Sequence, residues 1–184
     1  MEKIIITVLG RDRPGIIAAV SQSLYGQDCN IENVSQMVLQ SEFVGLFVIT
    51  APDSMALDGI QAVLARDLAS LQLDVRAKIL TPPEEPTGAP LSEPFVITTF
   101  GPDRKGLVAR ITGILARYDA NVTNLKAVFQ GGDDPDKNIM VYEVDLPVEA
   151  DRKALYAALR DKARELGLDI SIQHKNIFDT VNKI

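Results

Sequence analysis

Two six-residue segments carry the residue types from which a small-molecule site could be built. Gly10-Arg11-Asp12-Arg13-Pro14-Gly15 and Gly101-Pro102-Asp103-Arg104-Lys105-Gly106 each stand between an apolar, strand-like run and an amphipathic, helix-like run. Glycine lets a ligand approach the backbone, and the N–H groups that open a helix sit at the positive end of its dipole. Asp12 is a partner for an α-ammonium, and Arg13 or backbone N–H groups are partners for an α-carboxylate. Asn30 and Asn121 follow Gly15 and Gly106 by fifteen residues each, and an amide both donates and accepts. The implied ligand is a small anion or zwitterion. A plainer reading stands beside it: Asp12 and Asp103 as helix caps, and the glycines as steric relief where strand meets helix. Joint recurrence of Asp, Gly and Asn favours a site, although duplication alone would also copy them.

Other chemistry finds less support. Cys29 has no nearby histidine, and Ala120 takes its place in the second segment, so it reads as a small packing residue. His174 continues the apolar face of Leu168, Ile170 and Ile172 and reads as a structural histidine near a strand end. One histidine and one cysteine support neither a zinc site nor a Cys-His nucleophile pair. Asp133, Asp134 and Asp136 crowd a glycine-rich hairpin tip but lack a calcium-loop pattern. No metal, cofactor or catalytic residue is expected, and no acid, base and nucleophile converge. The net charge of −6, the absence of tryptophan and the interleaved charges of 151–165 argue against direct nucleic-acid contact.

The elements that must position these corners repeat with them. A shift of 91 positions aligns residues 10–34 with 101–125, with 9 of 25 identical. A fixed offset of this kind identifies a duplicated unit. Residues 4–9 read as a strand buried on both faces or nearly so, and 16–24 as a helix ended by Gly26. Residues 31–40 and 43–50 form a hairpin turning at Ser41-Glu42. Ser54 then caps a helix, and 73–79 make a last strand with one dry face. The second copy reads likewise: strand 95–100, helix 107–118, hairpin 122–129 with 139–146, helix 150–166 and a strand through Leu168, Ile170 and Ile172. Each copy is thus an α+β, ferredoxin-like βαββαβ unit, a four-stranded antiparallel sheet with two helices on one face. The expected boundaries are 1–80, a proline-rich linker 81–92, 93–178 and a tail 179–184. Exposed sheet edges invite side-by-side pairing into eight strands and a homodimer.

An Asp-Arg-Pro-Gly opening a helix, followed by Asn-Ile opening the next strand, resembles the amino-acid-binding ACT domain. Two copies with no catalytic domain resemble the glycine cleavage system transcriptional repressor group, and the first copy is also similar to the ACT domains of formyltetrahydrofolate deformylases. In that family effectors commonly bind between paired domains, contacted by this turn from one and by the Asn-Ile segment of its neighbour. The resemblance therefore implies a ligand role for Asp12, Gly15 and Asn30, and for Asp103, Gly106 and Asn121. The full candidate set adds Gly10, Arg13, Ile16 and Ile31, with Gly101, Arg104, Leu107 and Val122. Lys105 departs from the family proline, and some members carry a polar side chain where Gly10 and Gly101 stand. The function implied by this resemblance is a non-catalytic sensor of a small amino acid, glycine or similar, that signals through a regulatory protein partner. A purely structural, ligand-free pairing module is the alternative. The single cysteine fits a reducing cytoplasm, the apolar runs are too short to span a membrane, and the start of the chain leaves no room for a signal peptide.

Overall fold

The computed structural model describes residues 2–81, 91–129 and 138–181. The chain divides into two compact units, 1–86 and 87–184. The first runs β1 (Lys3–Arg11), α1 (Ile16–Gly26), β2 (Asn30–Leu39), β3 (Glu42–Thr50), α2 (Leu57–Asp67), a 3₁₀ turn (Ala69–Leu71) and β4 (Asp74–Ile79). The second runs β5 (Ser92–Gly101), α3 (Leu107–Ala116), β6 (Asn121–Phe129), β7 (Asn138–Pro147), α4 (Arg152–Leu166), β8 (Asp169–His174) and α5 (Lys175–Val181). Strand order is β2-β3-β1-β4 in one sheet and β6-β7-β5-β8 in the other, with every pair antiparallel. This is the ferredoxin-like arrangement, made twice. Among the described residues each unit contains one four-stranded sheet.

One face of each sheet meets the two helices that connect its strands. Ile4, Ile6 and Val8 of β1 pack with Phe43, Phe47 and Ile49 of β3 against Ile16, Val20 and Leu24 of α1 and Ile60 and Leu64 of α2. Each such side chain, fully buried, contributes roughly 1.5–3 kcal/mol. The other face stays wetter. Leu9, on that face, is 46% exposed, so β1 alternates and is not buried on both sides as its composition suggested. The reason is the single helical layer: only every second residue of a strand can reach it.

Several local expectations are corrected. Neither Asp12 nor Asp103 caps a helix. Gly15 and Gly106 occupy the N-cap positions with φ of 97° and 87°, and among the described residues no side chain caps either helix. Ser54 is no cap either, because α2 starts at Leu57 behind Ala56. The first hairpin turns on Gln40 and Ser41, both at positive φ, one residue earlier than read from the sequence. Helix α3 ends at Ala116, two residues early. Asp151 does cap α4, accepting from the Ala154 N–H at 2.9 Å. Residues 82–90 of the proline-rich linker and the Asp133-Asp134-Asp136 tip lie outside the described residues, and Ser92, at the linker's expected end, already belongs to β5.

Helix α5 was not foreseen. Residues 175–181 are too short for a clear helical period, and α5 packs against β5 and β8. Register places Val96 on the face away from α3 and α4, opposite Glu143 and Gln173, yet Val96 is only 2% exposed. Lys175 pairs with the Glu143 carboxylate, which also accepts from Asn124 Nδ2 at 2.9 Å. His174 ends β8 with its ring centroid 5.3 Å from that of Phe95, and its Nδ1 accepts from the Asn176 N–H. It serves as the strand-to-helix joint.

Glycines at the strand-to-helix corners are demanded by packing. A Cβ on Gly10 would lie 2.7 Å from Leu73 Cδ2, and one on Gly101 would lie 2.9 Å from the Gly167 carbonyl oxygen and from Leu168 Cδ2. Gly101 also sits at φ 150°. Gly101→Ala is expected to destabilise the second unit by about 2–4 kcal/mol, through strain and overpacking together. Urea unfolding followed by near-UV absorbance and amide exchange reports each unit separately. A second expectation concerns acid. Lys175, then Asn124, holds the Glu143 carboxyl below the usual range. A depressed carboxylate contributes in full above its unfolded pKa of about 4.3 and loses that contribution as pH falls through the folded value. Amide protection in α5 should therefore collapse in that window before protection in β5 and β7 does. Lys175→Ala should produce the same loss at neutral pH.

Candidate functional site

The first corner opens onto a groove of about 510 Å³ lined by Asp12, Arg13, Gly15, Ile16, Ile17, Ala18, Gln36, Val38 and Phe43. The first-turn N–H groups of a helix have no partner within it. No side chain caps α1, and Ile16, Ile17 and Ala18 line the groove, so those donors belong to its wall. Gly15 is exposed, and a Cβ placed on it would meet nothing within 4 Å. The corner can therefore accept an anionic group against backbone, with the Asp12 carboxylate beside it. The Asp12 N–H donates to the Ser41 carbonyl at 2.8 Å, which ties the corner to the β2–β3 turn.

Arg13 also has a structural partner. Arg13 Nη2 donates to the Leu71 carbonyl at 2.7 Å, bracing the corner against the turn that precedes β4. In the second copy Arg104 Nη2 lies 3.7 Å from where a Cβ on Gly167 would stand, at the matching turn before β8. Ile16 and Leu107 are core residues at 2% and 3% exposure, and Ile31 and Val122 pack partly buried against the same cores. Gly10 and Gly101 lie under the Leu73 and Leu168 turns. Of the candidate set, Arg104 is exposed, and so are the six polar and glycine residues that recur in both copies: Asp12, Gly15, Asn30, Asp103, Gly106 and Asn121.

These six do not gather within one domain. Asn30 pairs with Thr50, which pairs with Lys3, at one end of the first sheet. The corner follows Arg11, at the end where Glu42 and Leu39 pair. At about 3.3 Å per strand residue, the asparagine and the corner are more than about 20 Å apart. The second copy has the same polarity, with Asn121 opposite Asp145 and the corner beside Asn138. A site using both features must draw them from two domains.

Gln36, Val38 and Phe43 were missed by motif reasoning. Their signal lay in the hairpin: residues next to the Gln40-Ser41 turn must stand beside the corner once β3 pairs with β1. The second corner has a different floor. Asn138 occupies the register position of Phe43, opposite Gly101 where Phe43 lies opposite Gly10. It is 4% exposed and donates from Nδ2 to Asp103 Oδ1 at 3.3 Å. Its own Oδ1 has no partner among the described residues. The two corners are thus chemically unequal, one floored by a phenyl ring and one by an amide.

Comparison with known proteins gives the same division into two units. The ACT domain profile matches residues 2–78 and 93–173. A UPF0237 protein of Methanococcus maripaludis is 33% identical over 93 residues, half of this chain and 99% of that one. The glycine cleavage system transcriptional repressor of Escherichia coli is 24% identical over 175 residues, 94% of this chain and 90% of that one. Among solved structures, a protein of unknown function from Galdieria sulphuraria superposes with TM-score 0.75 at 21% identity, covering 94% of this chain and 98% of its own. A candidate glycine cleavage system transcriptional repressor superposes with TM-score 0.65 at 19% identity, over 94% and 96%. Among the described residues no helix is long and apolar enough to cross a membrane. The chain belongs to the ACT domain family, a regulatory and non-catalytic domain carried here twice in tandem.

Proposed function

We propose that this protein is an amino-acid sensor whose corner sites are completed by a neighbouring domain and whose ligand state is passed to a protein partner. The observation that carries this reading is the uncapped helix start at each corner, with Asp12 or Asp103 beside it and the asparagine at the far end of the same sheet. A small α-amino acid matches both halves: its carboxylate suits the helix N–H groups, and its ammonium suits the aspartate. Likeness to a repressor of the glycine cleavage system supports glycine as the first ligand to try and transcription of amino-acid metabolism as the setting. An acidic chain with net charge −6 would act there through a protein, in the cytoplasm, and not by contacting DNA.

Self-association is part of the same reading. Strand β2 is a sheet edge, and Val34, Met37, Val38 and Leu39 along it are 42%, 56%, 50% and 63% exposed. Antiparallel pairing of β2 with the matching edge of another copy would bring Asn30 of one to the corner end of the other. The same apolar edge favours a second reading, a ligand-free assembly module.

Titration calorimetry separates the two. Glycine is expected to bind the wild-type chain, with Asp12→Ala and Asp103→Ala each removing one class of site. Saturating ligand at one hundred times its dissociation constant should add roughly 2.7 kcal/mol to stability. Equal affinity in all three proteins would remove these aspartates from the site, and no stabilisation by any common amino acid would leave the assembly reading. For the edge, Met37→Lys with Leu39→Lys should reduce the mass measured by light scattering to that of one chain. An unchanged dimer mass would move the interface elsewhere.

A further inference from the structure

A second polar cleft lies away from both corners. It is about 490 Å³, open to solvent, and lined by residues of α1 and α2, among them Ser23, Gln27, Arg66 and Asp67. Ser23 is 8% exposed and donates from Oγ to Asp67 Oδ2 at 2.7 Å. Arg66 Nε and Nη2 donate to Asp67 Oδ1 at 3.0 and 2.9 Å. Gln27 is 9% exposed and spends its Nε2 on the Ser23 carbonyl, leaving Oε1 with no partner among the described residues. A buried acceptor without a donor costs stability comparable to a lost hydrogen bond, and such groups in folded proteins call for a cause.

The second copy shows that the fold does not need this arrangement. At the same 91-residue offset, Ser23 becomes Ile114, Gln27 becomes Tyr118 and Ala19 becomes Arg110. Ile114 is 2% exposed in the second core, Tyr118 packs against that core, and Arg110 pairs with Glu165 at 3.2 Å. One copy closes its helix-to-helix seam with apolar side chains and an ion pair. The other buries a hydroxyl and an amide there and keeps a cleft.

We infer that the α1–α2 cleft of the first unit is a binding site for a small molecule bearing a primary ammonium group, separate from the corner sites. An ammonium carries three donors and no acceptor. Gln27 Oε1 is an acceptor lacking a donor, and Asp67 Oδ2 carries one donor, from Ser23. The Asp67 carboxylate is held ionised by the Ser23 hydroxyl and then by Arg66. Gln27 Oε1 is fully buried beside the cleft, so binding requires the amide to turn outward, giving up its Nε2 bond to the Ser23 carbonyl in exchange for the bond to the cation. The Arg66 side chain is 73% exposed at the rim, so an additional carboxylate on the ligand would be tolerated.

The test uses the full chain labelled with ¹⁵N and three probes: ethylammonium, glycine and propionate. Ethylammonium and glycine are expected to shift the Gln27 side-chain amide and the Ser23 backbone amide saturably, and propionate to leave both unmoved. Gln27→Leu and Asp67→Asn should each weaken ethylammonium binding at least about tenfold, the loss expected for one hydrogen bond to a charged group. Asp12→Ala and Asp103→Ala should leave it unchanged, so the cleft and the corners fail or succeed independently. Absence of saturable shifts at Gln27 and Ser23 with either ammonium probe would overturn the inference. So would unchanged affinity in Asp67→Asn, which is partly exposed and should fold normally. A rise in melting temperature for Gln27→Leu with undiminished ethylammonium affinity would assign the orphan acceptor to strain alone.

Discussion

Close approach between the end of the first strand and the turn entering the last one governs each unit. Gly10 faces Leu73 and the Gln72 carbonyl, while Gly101 faces Gly167 and Leu168, at separations that leave no room for a Cβ. The facing residues, Gln72 and Gly167, both adopt positive φ. This contact anchors the central strand at the level where the helix must begin. The chain then turns through a left-handed glycine, Gly15 or Gly106, and starts the helix without a side-chain cap. Uncapped N–H groups at a corner braced from behind by Arg13 are a consequence of that packing. The binding chemistry proposed for the corner uses what the contact leaves exposed.

Strand polarity then decides what a single domain can do. Strand β2 runs in the same direction as β1, so the asparagine that opens it stands at the far end of the sheet from the corner. The repeated bulge after Ile31 and after Val122 keeps this register in both copies. A composite site of the proposed kind therefore requires two domains, and β2 is an edge strand with exposed apolar side chains. Ligand binding at such a seam would favour paired over unpaired forms to the extent that it binds them unequally.

The two copies have kept one fold and diverged in their polar interiors. The first floors its corner with Phe43 and opens a hydroxyl- and amide-lined cleft between its helices. The second floors its corner with Asn138, fills the interhelical seam with Ile114, and lays α5 over the far face of its sheet. Phe47 in the first core is matched by Tyr142 in the second, whose phenol is pushed up to about 12 by burial and donates to Met140 Sδ. Differences of this kind are where two units of common origin can acquire different ligands.

Element order, duplication and the corner motif were legible because each rests on local pattern: period-two and helical spacing, a fixed 91-residue offset, and glycine where the backbone turns sharply. Asp28 and Asp119, identical in the alignment, both take the left-handed conformation after their helices, a local demand that a sequence can express. Roles that depend on what faces a residue were not legible. Gly15, not Asp12, takes the N-cap position, and the Arg13 guanidinium is held on the Leu71 carbonyl, a partner fifty-eight residues away. Gln36, Val38, Phe43 and Asn138 join the corners only through strand register. The sequence by itself determined the fold and where its chain reverses, because those depend on neighbours along the backbone. Tertiary structure alone decided which groups stay free to bind, because a side chain's partners come from distant segments brought into contact.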